Sequence, residues 1–230
     1  MDFGNQNLRV LFTWGDVTVY LTETLLATWV VMAVLTLFAV FVRIRLRSFK
    51  SVPTGFQNVI EAAVSMMRDF ARDALGEELE HWGAYFFGAF TFILASNYSS
   101  MFGLRPPTSD LSTTGALAAI TFTLIHGIAI SKKKGRYLKS YIEPAIPFLP
   151  INLIGELSKH VALAFRLFGN ILSGVIIAGM LYRMLPMAFR ILLPNVAHAY
   201  FDVLVGALQA YVFTMLSMTF VRQGSSDIFS

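Results

Sequence analysis

A run of residues without a charged side chain extends from Thr24 to Val42. It is close to the roughly 20 residues that a helix needs to cross about 30 Å of hydrocarbon. The composition agrees, since 56% of the 230 residues are hydrophobic and only 14% are charged, against about 25% charged in an ordinary soluble domain. The sequence therefore predicts one integral membrane domain over residues 1–230 and leaves no room for a separate nucleotide-binding domain.

Basic residues cluster directly after two of the apolar runs, and this spacing predicts the topology. By the positive-inside rule such clusters mark the cytoplasmic side, so the amino terminus is expected outside and the carboxyl terminus in the cytoplasm. Further crossings are predicted at about residues 82–104, 111–131 and 151–182 and, after a break at Pro186 and Pro194, in a last run ending at Val221. The two basic clusters are Arg43, Arg45, Arg47 and Lys50, and then Lys132, Lys133, Lys134, Arg136 and Lys139.

Between the first two crossings, the segment that follows Pro53 is amphipathic. Apolar side chains such as Phe56, Val59 and Met67 recur on one side of the predicted helix and charged residues on the others. An ordinary packing helix and a helix lying along the cytoplasmic interface both fit this pattern, and the flanking membrane crossings favour the interface. The predicted fold is an all-α membrane protein with about five transmembrane helices and one amphipathic interfacial helix.

Arg166 lies inside the apolar stretch from Ile151 to Tyr182. A guanidinium carries a permanent charge, and an arginine at the centre of a membrane helix costs roughly 2.5 to 3.5 kcal/mol on translocon scales. An ion pathway or a carboxylate partner is the expected reason for such a residue. The stretch is also longer than a perpendicular crossing needs, which predicts a strongly tilted helix.

Polar and small residues share a face with Arg166 and continue on the last helix. Asn170 and Ser173 lie within two turns of Arg166, while Asp202 and Gln209 fall near one face of the following helix. The small residues alone would be explained by close helix packing, but Arg166 and Asn170 predict a polar seam between the two helices.

Two carboxylates in these helices leave alternatives open. Asp202 is predicted either as a structural counter-ion or as part of a water-filled route to the outside, and the route is favoured. Glu156, toward the cytoplasmic end of its helix, marks either the exit of an ion path or a solvated helix end. His126 and His160 could relay protons, but hydrogen-bonded structural histidines are the more frequent case, so neither enters the predicted site.

Several kinds of chemistry are excluded or disfavoured by the sequence. It has no cysteine, and no zinc-protease, P-loop, nucleophile-elbow or dinucleotide motif is present. No cofactor and no metal site are therefore expected. The net charge of +4 is explained by membrane orientation rather than by nucleic-acid binding. Asp2 and Asp16 stand where a secretory signal would need basic and apolar residues. A chain that starts without a targeting segment fits a bacterial plasma membrane better than an imported organelle protein, so a bacterial plasma membrane is expected, and an organelle-encoded copy is the alternative.

Several blocks of the sequence together resemble subunit a of the F-type ATP synthase membrane sector. The resemblance is carried mainly by Ser158-Lys159-His160, by Arg166-Leu167-Phe168-Gly169-Asn170 and by Leu208-Gln209-Ala210-Tyr211-Val212-Phe213. It extends over most of the chain, through the blocks Pro53 to Glu61, Ser96-Asn97, Pro107 to Leu111 and Pro150-Ile151-Asn152.

The resemblance implies a stator subunit with two offset half-channels whose two long carboxyl-terminal helices face a ring of c subunits. It implies that the partners are this ring, the subunit b peripheral stalk, the rest of the ATP synthase and the lipid bilayer. Arg166 matches the family's essential arginine, Asn170 and Gln209 its polar neighbours, and Asp110 an acidic residue near the outer route. Asp202 matches a second ionisable position, and Glu156 fits the inner acidic pattern loosely. Val175 departs from the family because many relatives have an ionisable residue there.

Two other classes of function compete with a rotary stator. In a self-contained channel or secondary transporter, Arg166 would bind an anionic substrate or gate a pore without any ring. In a membrane scaffold, Arg166 and Gln209 would be dispensable for transport. The sequence does not distinguish H⁺ from Na⁺ as the transported ion, because in this family the selective carboxylate belongs to the ring.

Overall fold

The structure is a computed structural model, and it describes residues 7–14, 17–49, 54–134, 137, 141–142, 146–184, 186, 189 and 192–225. Among these described residues, four helices are long and apolar enough to cross a membrane: Glu23–Arg45, Leu111–Lys133, Leu149–Met184 and Ala199–Ser225. The prediction of an all-α membrane protein is confirmed by these helices.

A β-hairpin that the sequence analysis did not predict precedes the first helix. Strands β1 (Asn7–Trp14) and β2 (Val17–Thr22) pair antiparallel. Helix α1 (Glu23–Arg45) follows β2 directly, and Thr22 caps it by accepting a hydrogen bond from the backbone N–H of Leu25 at 3.2 Å. The predicted first crossing, Thr24 to Val42, lies entirely within α1.

Helix α2 (Phe56–Leu75) is the predicted amphipathic helix, and its two halves differ. Ala71 and Leu75 are buried, whereas Phe56 and Val59 near its start are exposed. The second half therefore behaves as a packing helix, while the first half keeps the free apolar face that an interfacial helix would have.

The second predicted crossing corresponds to a helix that is shorter than the four helices named above. Helix α3 (Gly83–Tyr98) has 16 residues, and a 3₁₀-helix of four residues, Ser99–Phe102, extends it. At about 1.5 Å and 2.0 Å per residue, these elements together reach roughly 32 Å, which is enough to span the hydrocarbon. A second 3₁₀-helix, Pro107–Ser109, leads into α4 (Leu111–Lys133).

The carboxyl-terminal part contains the two long helices that the sequence predicted. Helix α5 (Leu149–Met184) has 36 residues, or about 54 Å at 1.5 Å per residue. The short helix α6 (Leu192–His198) is followed without a break by a π-helix, Ala199–Val205, and by α7 (Gly206–Ser225). Pro194 was predicted to break the chain, but it lies in the first turn of α6, where its missing N–H would have no helical partner in any case.

The chain divides into two compact units, each made from three segments of sequence. Unit 1 contains residues 1–49, 91–113 and 168–210, and unit 2 contains residues 50–90, 114–167 and 211–230. In unit 2 a hydrophobic core joins α2, α3, α4 and α7. Its fully or almost fully buried members are Ala71, Leu75, Leu79, Phe86, Ile125, Ile128, Met218 and Val221.

Candidate functional site

Arg166 lies on the exposed side of α5. Leu163, Ala164 and Leu167 form the buried stripe around it, while Phe165 is 54% exposed and Arg166 itself is exposed. Within the part of the chain that the structure describes, no acidic side chain forms an ion pair with Arg166. The cation therefore points away from the packed side of its helix.

Asn170 and Gln209 form a direct hydrogen bond across two helices of unit 1. Asn170 Nδ2 on α5 donates to Gln209 Oε1 on α7 at 2.7 Å. Gln209 is 4% exposed, and its Nε2 has no hydrogen-bond partner among the described residues. The predicted polar seam thus exists at this pair, and one amide donor of Gln209 remains for water, an ion-carrying group or a ligand.

Asp202 is buried in the π-helix that precedes α7. Its side chain is 8% exposed. The π-helix packs closely on α5, because a Cβ placed on Gly174 would approach the Cβ of Phe201 to 3.0 Å. Gly174 therefore permits close packing of α5 against the π-helix, as the packing interpretation requires.

Asn97 is a polar residue in the apolar helix α3 whose role the sequence analysis missed. Its Nδ2 donates to the backbone carbonyl of Gly206 at 2.9 Å, and its Oδ1 accepts from Thr108 Oγ1 at 2.7 Å. Asn97 supplies a donor at the point where the π-helix ends and α7 begins, and Gly206 leaves room for it. The available signal was an amide within an uncharged run, which is costly unless it is paired.

Asp110 caps the start of α4. Its Oδ1 accepts from the backbone N–H of Ser112 at 3.0 Å and from the Ser112 hydroxyl at 2.8 Å, while Oδ2 accepts from Thr24 Oγ1 at 2.9 Å. Burial raises the pKa of Asp110, but the hydrogen bonds from Ser112 and Thr24 and the charge of Arg105 outweigh burial, so the pKa is lowered overall. Asp110 is therefore a fixed carboxylate that also ties α1 to the turn before α4.

The remaining predicted site residues lie on α5. Glu156 forms an ion pair with Lys159, Oε2 to Nζ, at 2.8 Å. Ser173 is exposed, and Val175 is 37% exposed. Across the described residues, no three His, Asp or Glu side chains are grouped closely enough to hold a metal ion.

Comparison with known proteins agrees over nearly the whole chain. The family described as ATP synthase A chain matches residues 25–222. ATP synthase subunit a 2 of Acaryochloris marina is 36% identical over 94% of this chain and 90% of its own length. ATP synthase subunit a 1 of Prosthecochloris aestuarii is 35% identical over 94% of this chain and 96% of its own length. ATP synthase subunit a of Moorella thermoacetica is 36% identical over 92% of this chain and 93% of its own length.

Proposed function

The chain belongs to the ATP synthase A chain family, and from this premise we propose that Arg166 couples ion flow to the rotation of a ring of c subunits. As a family member, the chain is a multi-pass membrane subunit of the F0 sector that takes part in ion translocation, and it is not a catalytic enzyme by itself. The resemblance based on sequence blocks is confirmed. The residues and routes that follow are our proposal.

The observation that carries the proposal is the exposure of Arg166 on a long apolar helix. A permanent charge facing hydrocarbon is costly, and buried or membrane-embedded charges are normally paired. Because the described part of this chain pairs no carboxylate with Arg166, we assign its counter-charge to a partner. A ring helix bearing an ion-binding carboxylate has the required charge.

The electrostatic step follows from that pairing. A nearby positive charge favours the ionised form of a carboxylic acid, so a ring carboxyl that approaches Arg166 releases its proton or Na⁺. Away from Arg166 the same carboxyl must be neutral to face hydrocarbon. Rotation is therefore linked to ions that arrive by one route and leave by another, and each elementary charge moved through 100 mV contributes about 2.3 kcal/mol.

The polar residues of unit 1 suit the outer route. We place Asp110, Asp202 and Ser173 along it, with Asp202 compensating for the apolar Val175. The Asn170–Gln209 pair lies in the stretch of α5 and α7 that follows, and the free Nε2 of Gln209 offers a hydrogen-bond donor to water or to a ring carboxylate. On the inner route we place Glu156, whose charge is balanced by Lys159.

The face that we assign to the ring includes exposed apolar side chains on the segment leading into and through α7. Leu204, Leu208, Tyr211 and Met215 recur at intervals of three or four residues and are 43–63% exposed. We propose that this stripe and the tilted helix α5 face the c-ring, and that the subunit b stalk and the rest of the ATP synthase complete the assembly. We further propose a single membrane domain in a bacterial plasma membrane, with the amino terminus outside and the carboxyl terminus in the cytoplasm.

The decisive experiment is ATP-driven ion uptake by inverted membrane vesicles that carry wild-type or Arg166→Ala protein. ATP hydrolysis and assembly of the complex are measured on the same vesicles. We expect Arg166→Ala to assemble and to lose coupled uptake of the transported ion, whether H⁺ or Na⁺, because nothing then drives the ring carboxyl to release its ion. Arg183→Ala, at the far end of α5, is the matched control and should retain uptake.

Normal uptake by an assembled Arg166→Ala complex would refute the coupling role. Copurification separates the remaining alternatives. A ring of small subunits that copurifies with the chain supports the rotary function, whereas ion transport by the purified chain alone would show a self-contained channel or transporter.

The outer route has its own test in Asp202→Asn. This change keeps the size of the side chain and removes its charge, so ion access should slow several-fold while the central barrier remains intact. Synthesis and pumping rates equal to those of the wild type would show that Asp202 is a structural polar residue.

A further inference from the structure

Two histidines that the proposed site does not use meet inside unit 2. His126 lies in the last third of α4, before the basic residues Lys132 and Lys133, and His160 lies in the first third of α5. Their ring centroids are 6.0 Å apart, and His160 is only 3% exposed. We refer to His126 and His160 as the imidazole pair.

The hydrogen bonds of the imidazole pair fix which ring nitrogen carries hydrogen. His126 Nδ1 lies 2.9 Å from the carbonyl oxygen of Phe122, and His160 Nδ1 lies 3.0 Å from that of Glu156. A carbonyl oxygen only accepts, so in both rings Nδ1 is the donor. In the neutral state, each Nε2 therefore has a free lone pair.

These two lone pairs are poorly satisfied. His160 Nε2 is buried and has no hydrogen-bond partner among the described residues. Within the described part of the chain, the hydrogen-bond contact of His126 Nε2 is a long one, 3.4 Å to the hydroxyl of Tyr141. Buried polar atoms in native proteins are normally paired, and an exception indicates a missing water, an ion or a functional role.

Aromatic rings line the imidazole pair. The ring of Phe122 lies against His126 with centroids 3.9 Å apart, and it meets His160 edge to face at 4.9 Å. On the other side of His160, the ring of Phe220 from α7 lies at 5.9 Å. Aromatic faces stabilise cations by their quadrupole. Nitrogen lone pairs and aromatic rings suit a proton, whereas a hard cation such as Na⁺ prefers oxygen ligands.

Two tyrosines connect the pair to the segment between α4 and α5. Tyr141 lies beside His126 Nε2, and its hydroxyl oxygen is 2.6 Å from that of Tyr137. Burial and then their mutual hydrogen bond, together with the charge of Glu156, shift the pKa values of these tyrosines, and both are raised overall. Both hydroxyls consequently stay protonated near neutral pH, as a hydrogen-bonded relay requires.

We propose that the imidazole pair is a proton-binding site on the inner side of Arg166, supplied through Tyr137 and Tyr141. One proton binds to the Nε2 lone pairs, directly or through a water molecule, and the pair then carries a single positive charge. Each tyrosine passes one proton on and receives one, so both end neutral. The site rests on the proposed function, because its proton is delivered to or received from a ring carboxyl.

The titratable and charged groups around the pair come from three elements. Glu156 and Lys159 lie on α5 with His160, and His126 lies on α4. Tyr137 and Tyr141 belong to the connecting segment, while α7 contributes the uncharged ring of Phe220. Glu156 and Lys159 offset each other as an ion pair, so the net charge of the cluster changes mainly with protonation of the imidazole pair.

The test uses ATP-driven proton uptake by the whole complex in inverted vesicles, where the inner side faces the medium and its pH can be varied. His160→Asn retains an amide donor for the Glu156 carbonyl but cannot bind a proton. We expect the pH at which uptake is half-maximal to move by about one unit toward acid, because proton supply then fails at lower pH. His81→Asn, which removes an exposed histidine of the same chain, should leave this profile unchanged.

A second readout does not depend on activity. The ¹⁵N spectra of the imidazoles should differ between wild-type and His160→Asn complexes. In the wild type, the His126 signals should respond to protonation of His160, and this response should be absent from the variant. If His160→Asn fails to assemble, His126→Asn decides by the same two measurements. Superimposable pH profiles for the wild type and the assembled variants would overturn the proposal, as would ion uptake that is insensitive to medium pH.

The outcome with Arg166→Ala keeps this inference separate from the proposed function. Loss of coupling in Arg166→Ala together with an unshifted profile in His160→Asn would refute only the proton site. Normal coupling in Arg166→Ala would refute the proposed function itself.

Discussion

The residues around Asn97 and the residues around Arg166 are polar groups in the same apolar kind of chain, but they differ in how completely the chain satisfies them. Asn97 and Thr108 are both fully buried, and the amide of Asn97 bonds on one side to Gly206 and on the other to Thr108. Arg166 is exposed and forms no ion pair with the described acidic residues. The network that Asn97 forms with Gly206 and Thr108 is closed within the chain, although the neighbouring Ser96 Oγ has no hydrogen-bond partner among the described residues, whereas Arg166 is left open.

This difference distinguishes polar groups that stabilise the fold from polar groups that can bind a partner. A closed network contributes geometry, because every buried donor and acceptor already has a partner and leaves nothing for a ligand. Here it fixes the end of the π-helix that contains Asp202. An open group in a low-dielectric setting is costly on its own, and that cost is offset only when a partner arrives. Gln209 Nε2 and His160 Nε2 belong to the open class with Arg166.

The largest expected effect tests whether the open region needs only a charge. Arg166→Lys keeps one positive charge but loses the planar fork that bonds a carboxylate through two N–H groups, and a buried ammonium can lose its proton. We expect coupled ion uptake to fall by at least about tenfold, the equivalent of roughly 1.4 kcal/mol. Ion uptake and ATP hydrolysis in inverted vesicles measure this change.

The control for this substitution is Arg183→Lys at the carboxyl-terminal end of α5, which should transport at the wild-type rate. Equal transport by Arg166→Lys and the wild type would mean that a point charge suffices. The planar fork of Arg166 would then be unnecessary for coupling, although its positive charge would still be required.

An intermediate effect is expected from opening the closed region. Asn97→Leu leaves the Gly206 carbonyl and the Thr108 hydroxyl buried without their partner, at about 1–3 kcal/mol for each group. The thermal unfolding midpoint of the complex should fall, and transport should slow because the π-helix around Asp202 loses its support. Calorimetry and vesicle uptake measure the two effects.

Thr108→Val provides the graded comparison for Asn97→Leu. It removes one hydrogen bond and leaves the bond from Asn97 to Gly206 in place, so both losses should be smaller. If Asn97→Leu unfolds at the wild-type temperature with full transport, the network is not what holds the π-helix.

The open residues were easier to predict from the sequence than the closed ones. Arg166 stands out because a charge in an apolar run has few explanations, and Asn170 and Gln209 fall on helix faces at intervals that the helical period makes visible. The pairing of Asn170 with Gln209 was expected as a seam and is present as a hydrogen bond at 2.7 Å. The residues of the open region can therefore be identified from the sequence alone.

The closed region depends on contacts between distant segments, which no local pattern contains. Asn97 and Gly206 are separated by 109 residues, so the hydrogen bond between them forms only when the tertiary structure brings α3 and the start of α7 together. The β-hairpin was missed for a different reason. Gly15-Asp16 between two β-branched runs is a hairpin signal. Both runs are too short to count as membrane crossings, so hydropathy alone does not reveal them. The meeting of His126 and His160 likewise requires the packing of α4 on α5.

The smallest expected effect concerns Asp110, which we place on the outer route and which also ties α1 to the turn before α4. Its pKa is lowered in the folded chain, so it stabilises the fold above its unfolded pKa of about 3.9, and this contribution is lost as the pH falls through the folded pKa. Asp110→Asn should therefore lower the unfolding midpoint slightly at neutral pH, and the gap from the wild type should close below about pH 4. Thermal unfolding of the detergent-solubilised complex at neutral and acidic pH measures this gap, with the exposed Asp69→Asn as the control that should show none. A gap of constant size at both pH values would mean that Asp110 stabilises the turn through its shape and hydrogen bonds alone. Its charge would then serve ion transport rather than stability.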